Sequence, residues 1–141
     1  MALTLKKAHE CIDRGFAKAE ALGFRVAIAV VDEAGHLVAC YRMDGALWAT
    51  PEIARAKANA SAAFRATTLD LEERFNKGRQ IFAYNVATLG DYQFVFGRGA
   101  VPIVENGQIV GAVGVSGAVP ADNDHAIADE ATGHPVLPKS H

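Results

Sequence analysis

The sequence predicts an α+β fold, a largely antiparallel sheet with helices packed on its faces, on three observations. Two stretches, 25–43 and 101–113, alternate with period two about a short turn, as β-hairpins do. An amphipathic helical repeat precedes the first hairpin. An Ala-rich helical stretch follows it. Hairpins cannot build a parallel sheet, so helix, hairpin, helix, irregular region, hairpin, helix is an antiparallel order.

Each element has a local reason. Thr4 is placed to cap a helix in which Leu5, Ala8, Ile12, Phe16 and Ala19 recur at three- and four-residue steps, and Gly23 supplies its stop. From Arg25 the period becomes two, with Val26, Ile28 and Val30 on one face and Ala27, Ala29 and Val31 on the other. That is the pattern of a strand covered on both sides. Asp32-Glu33-Ala34-Gly35 reads as a turn and 36–43 as the second strand. Thr50-Pro51-Glu52 opens the next helix with a capping hydroxyl, Pro at the first helical position and an acid in the first turn. Its Ile53, Ala56, Ala60, Phe64 face is slim, which suits close approach to a sheet, a second subunit or a flat ligand, with packing on the sheet the favoured reading. Residues 67–100 carry the weakest signal: Leu71 and Phe75 continue the helix, and Tyr92, Phe94 and Phe96 alternate like a short strand. Asn106-Gly107 joins two strands through a type I′ turn, whose central residues both need positive φ. Asp122 or Asp124 caps a last short helix closed by Gly133 and Pro135.

At 141 residues and 50% hydrophobic composition the chain fits a single domain, 1–141, with a self-sufficient core. Fourteen Lys and Arg against sixteen Asp and Glu leave a net charge of −2, with the basic residues dispersed. Nucleic acid is not an expected partner, because counterion release needs a clustered basic surface. No apolar run approaches the roughly 20 residues a membrane span needs, and MALTLKKAHE has no secretory pattern, so a cytoplasmic location is the expectation. Cys11 and Cys40 have no metal or redox spacing and read as small hydrophobes.

Several motifs fail on spacing. Gly111, Gly114 and Gly117 match neither nucleotide-loop pattern and point to close backbone approach or strand curvature. Gly114-Val115-Ser116-Gly117 lacks the second Gly position of a hydrolase elbow. Asp122-Asn123-Asp124-His125 is better explained by helix capping than by a metal, so no metal site is assigned. What survives is a set of polar groups at strand ends: Arg42 and Asp44, the N–H groups of the helix starting at Thr50, and Ser116-Gly117. If the hairpins are neighbours, Arg42 and the backbone after Val115 border a common hollow, and an Arg fork beside a helix N-terminus suits a carboxylate. The competing reading is that Arg42 and Asp44 pair with each other or with the helix.

VVDEAGHLVACYRMDGA, TPEIARAKANASAAF and GRGAVPIVENGQIVGAVGVSGAVPADND resemble the GlcG/HbpS family, also called haem-degrading or DUF336 domains, over roughly residues 3–130. The same domain resembles the C-terminal part of PduO-type cobalamin adenosyltransferases. The RMDGA and VGAVGVSGA blocks carry the resemblance, with Asp32, Gly35, Arg42, Met43, Asp44, Lys57, Ser116, Gly117 and Asp124 at pattern positions. Arg98 between two glycines, Asp122 in place of a common Glu, and the tail after Ala131 depart from it.

The resemblance implies a profilin-like fold of about five antiparallel strands, a homo-oligomer, and a pocket for a small molecule, haem or a corrinoid in some members. On that basis the chain is a small-ligand protein binding haem or a related tetrapyrrole, with His9, His36 and Met43 as candidate axial groups and Arg42, Arg98, Ser116 and Gly117 about the ligand. The alternative is a cofactor-independent lyase, hydratase or isomerase acting on a small, aromatic or aliphatic, carboxylate. Arg42 and Arg98 would then clamp the carboxylate, and Asp32, Asp44, Glu52 and Tyr84 would carry protons. A third reading is a module whose oligomer is its function.

Overall fold

The computed structural model describes residues 2–139. Helix α1 (Leu5–Leu22) begins as its sequence requires: the Thr4 side chain accepts from Lys7 N at 3.1 Å, and Gly23 closes it at φ 83°. Strands β1 (Ala27–Asp32) and β2 (Leu37–Arg42) follow, then α2 (Thr50–Phe64), α3 (Thr68–Asn76), α4 (Gln80–Val86), β3 (Ala100–Glu105), β4 (Gln108–Ser116) and α5 (Asp122–Thr132). The sheet runs β2-β1-β4-β3, antiparallel throughout.

This corrects the expected strand count to four. Tyr92, Phe94 and Phe96 join no ladder; their segment lies along α2, with Val95 N bonded to Ala56 O at 3.3 Å. The alternation records aromatic burial instead. Phe94 and Phe96 pack with Phe64, Phe75 and Phe82 around buried Ala60, Ala66 and Leu71. Leu71 and Phe75 belong to a separate helix, because Arg65 ends α2 in the left-handed region at φ 56°.

The sheet is covered on both faces. Val26, Ile28, Val30, Val113 and Val115 meet α1 and α5 through Ile12, Cys11, Ile127 and Ala131. On the opposite face Val31 and Ala112 meet Ala58 and Ala62 of α2. Close approach there depends on Gly114: a Cβ at that position would lie 2.0 Å from Ala54 O and 2.9 Å from Ala58 N. The Asn106-Gly107 turn has both residues at positive φ, 52° and 76°, as the hairpin reading requires.

Two caps differ from expectation. Thr50 Oγ1 donates to Leu47 O at 2.7 Å instead of capping α2, whose N-cap is Ala49. Asp124 does not cap α5, because its carboxylate is used elsewhere, and Ala121 stands at the N-cap.

Candidate functional site

Helix α2 presents three environments. Ala54, Ala58 and Ala62 are fully or almost fully buried and pack on the sheet. Lys57 points past the end of β4, where its ammonium donates to Val115 O at 3.0 Å and to Asp124 Oδ2 at 3.2 Å. The other Asp124 oxygen accepts from Ala118 N at 2.9 Å. Burial pushes the Asp124 carboxyl pKa up, against the opposing pull of Lys57 and of the Ala118 and Gly117 N–H groups.

The third face carries Ile53, Ala56, Asn59 and Ala63 and is crossed by the segment 91–95. Between them lie two hollows. One, of about 350 Å³, is lined by Glu52, Ile53, Arg55, Ala56, Asn59, Asp91, Gln93 and Val95. The other, of about 220 Å³, is lined by Glu33, Ala34, Gly35, Asn59, Ala63, Tyr92 and Phe94. Asn59 belongs to both. Tyr92 and Phe94 present stacked rings, 5° apart in plane with centroids 6.3 Å apart.

Asn59 is 8% exposed, yet its Oδ1 is buried with no hydrogen-bond partner. A buried amide oxygen left unpaired is destabilising by about 1–3 kcal/mol, so natural proteins seldom keep one without a use. A methyl-sized addition at Gly35 would sit 3.5 Å from that oxygen, which lies packed under the first hairpin turn. The two hollows form a concave surface of mixed lining, with Glu33, Glu52, Arg55, Asp91 and Gln93 beside Ala56, Ala63 and the stacked rings.

The residues singled out from sequence distribute differently. Arg42 and Ser116 are both register partners of Ala27, so they share one end and one face of the sheet, two strand spacings or about 9.5 Å apart. Arg42 and Asp44 are exposed and form no ion pair with each other. Neither Arg42 nor Ser116 lines either hollow on α2. Gly117 is held by packing, since a Cβ there would fall 2.4 Å from Arg25 O. Met43 turns inward, its Sδ accepting from Val26 N at 3.4 Å.

Asp32 closes the first hairpin: Oδ1 accepts from Ala34 N at 2.9 Å and His36 N at 3.0 Å, while Oδ2 lies 3.5 Å from His36 Nδ1. It stands at the far end of β1 from Arg42, about 17 Å along the strand. His9 lies on α1, across the sheet from α2, with Nε2 3.3 Å from the Tyr41 hydroxyl. Tyr84 is 85% exposed on α4. Arg98 is already engaged by Glu72, Glu73 and Asp122, with Asp122 the main cause of its raised pKa, so a ligand carboxylate would have to displace one of them. Of the four proton carriers named from sequence, Glu52 alone lines a hollow on α2.

Asn59 escaped the sequence reading, although it left a signal. It is a poor helix former in mid-helix, flanked by Ala on both sides. Among the described residues no cluster of three or more His, Cys, Asp or Glu is arranged to hold a metal ion.

Residues 3–132 match the family model described as Haem degrading protein HbpS-like. The chain belongs to the HbpS-like family. It is 38% identical over 114 residues to protein GlcG of Escherichia coli strain K12, a match covering 81% of each chain. Among solved structures, Klebsiella pneumoniae ORFY of DUF336 aligns with a TM-score of 0.83 at 25% identity, over 94% of this chain and 89% of that one. HbpS aligns with a TM-score of 0.83 at 28% identity, over 94% and 89%. A PduOC:heme complex shares the fold, with a TM-score of 0.83 at 24% identity over 96% of each chain. The resemblance carried by the RMDGA and VGAVGVSGA blocks is thus a true family relationship.

Proposed function

We propose that this protein is a single-domain small-ligand-binding protein whose ligand is haem or a related tetrapyrrole, held in the groove along α2. The observation that carries the reading is the groove itself: Ala56 and Ala63 form a slim wall, Tyr92 and Phe94 a stacked one, and a buried amide stands between two hollows without a partner. The HbpS-like family description and the haem named with PduOC supply the ligand class.

The groove suits the ring better than its iron. Haem iron takes an axial His, Cys, Met or Tyr. Neither hollow is lined by His, Cys or Met, and Tyr92 is the one group of these types in the walls. Of the axial groups named from sequence, His36 comes nearest, one residue beyond Gly35, but it is exposed and faces Asp32. No step is assigned to iron on these residues.

The reading includes assembly of several copies. Leu47 and Trp48 are 76% and 82% exposed, and Tyr41 on the edge strand β2 is 49% exposed. Light scattering should return a multiple of the 14.9 kDa chain mass. A strictly monomeric protein would remove this part of the proposal.

Titration of purified protein with haemin, followed at the Soret band, and with metal-free tetrapyrroles, followed by absorbance, tests the ligand class. Saturable binding of at least one is expected. Unchanged spectra for all of them would overturn it.

A further inference from the structure

We infer that residues 88–95 form a lid over the α2 groove, a strap that lifts off the helix to admit the ligand and closes on the ligand's outer face. The inference rests on the ligand reading above and adds its gate.

The strap is what divides the groove. Asp91, Gln93 and Val95 line the first hollow, while Tyr92 and Phe94 line the second. That alternation is the period-two geometry of an extended chain, which sends successive side chains to opposite sides. The backbone of 91–95 therefore runs along the partition between spaces of about 350 and 220 Å³. Lifted, it leaves one continuous trough along α2 from Glu52 to Ala63, about 16 Å long, in which a flat ring system can lie. Closed again, it brings the stacked rings of Tyr92 and Phe94 against the ligand.

The attachments of the strap are few. None of residues 76–98 is buried, and a hollow of about 390 Å³ undercuts α4, which leads into the strap, on its α3 side. Val95 N reaches Ala56 O of α2 through a bond of 3.3 Å, longer than the usual 2.9–3.0 Å. The Phe94 ring meets Phe64 edge-on, with centroids 5.7 Å apart. Phe94 N bonds to Ala87 O, inside the same segment, and so moves with it. Segments packed this sparsely open locally at less cost than the core, and active-site lids are drawn from them.

Glycines stand at both ends of the strap. Gly90 holds φ 58°, in the left-handed region. At Gly97 neither packing nor φ calls for a glycine: a Cβ there would lie at ordinary contact distances, 3.8 Å from Val95 and 3.9 Å from Lys57. What glycine adds at that point is freedom of the backbone to turn.

The test ties the strap down. Ala56→Cys and Val95→Cys are made together, at residues that share the hydrogen bond just described and line the same hollow. Wild type and the double variant, oxidised to the disulfide or reduced with a phosphine, are titrated with haemin and with metal-free protoporphyrin IX. The iron-free ring keeps the new thiols out of the measurement. The oxidised variant should bind about tenfold or more weakly than its reduced form, because the open state is withdrawn. Equal affinity of the two forms overturns the lid and leaves the ligand reading standing. Wild type silent toward both porphyrins overturns the two together. If the disulfide does not close, hydrogen exchange of free wild type decides: the Phe94 and Val95 amides should exchange about tenfold or more faster than the buried amides of α2. Equal protection of strap and helix overturns the lid.

Discussion

Lys57 and Asn59 stand two residues apart on α2, both buried polar groups in an Ala-rich helix, and their surroundings could hardly differ more. Two residues turn the helix by about 200°. Lys57 therefore faces β4 and α5, where its charge meets Val115 O and the Asp124 carboxylate. Asn59 faces the segment 91–95 and the first hairpin turn, where its oxygen meets nothing. A buried polar group that serves the fold arrives with its partner. This difference, more than residue type, separates the two buried polar positions on this helix.

The comparison can be broken first at its satisfied side. Lys57→Met leaves the Asp124 carboxylate buried without its cation and should destabilise the protein by about 3–5 kcal/mol at neutral pH, measured by urea denaturation. The pH dependence has a definite sign. Burial raises the Asp124 pKa, so the folded chain binds that proton more tightly than the unfolded chain. Wild-type stability from this group is therefore greatest in acid and declines as pH climbs from about 4 through the folded value. Removing Lys57 raises the folded value further, so the deficit of the Met variant should be largest near neutrality and shrink on acidification. A deficit that grows in acid would contradict the assignment.

Gly114→Ala comes next. Its Cβ would press on the Ala54 carbonyl, so α2 must lift from the sheet, lowering stability by about 1–3 kcal/mol. Calorimetry should show a lower melting temperature, and tetrapyrrole affinity should fall with it, since both hollows are walled by the same helix.

Asn59→Leu sharpens the contrast by its small effect on folding. No protein hydrogen bond is lost, so stability should stay within about 1 kcal/mol of wild type, or rise. A large destabilisation in urea melts would make Asn59 another structural residue like Lys57.

The smallest effect belongs to a pair that is polar and partnered but exposed. His134 bonds the Asp129 and Glu130 carboxylates just past α5, and these bonds, Asp129 first, raise its pKa. A raised histidine pKa contributes stability that is fully present below about pH 6.5 and lost as pH rises through the folded value. His134→Ala should thus lower the melting temperature slightly in mild acid and leave it unchanged in alkali.

Where the physics is local, the sequence was readable. The Asn106-Gly107 turn, the two-faced burial of β1 and the ends of α1 follow from φ preferences, period-two patterning and capping chemistry among near neighbours. Between α2 and β3 those rules lost force. Phe94 and Phe96 alternate because both rings meet a phenylalanine cluster assembled from three helices, with Tyr92 stacked on Phe94 outside it, a contact that mimics a strand pattern without any ladder. The strand-end residues Arg42 and Ser116 did come to one edge, since register follows hairpin pairing. The hollows formed elsewhere, because segment 91–95 settles over α2 and not over the sheet end.

By itself, then, the chain's pattern of turns, caps and alternating apolar residues determined seven elements of an antiparallel α+β fold, α1, β1, β2, α2, β3, β4 and α5, and its motif blocks determined the family. Only the tertiary structure decided that a helix of small residues has three different faces, and that the asparagine on one of them lacks a partner. Local preferences act between residues a few positions apart and are written in order along the chain. Whether a buried oxygen finds a donor depends on residues more than twenty positions away, at Gly35 and Tyr92, and that is settled only when the layers close.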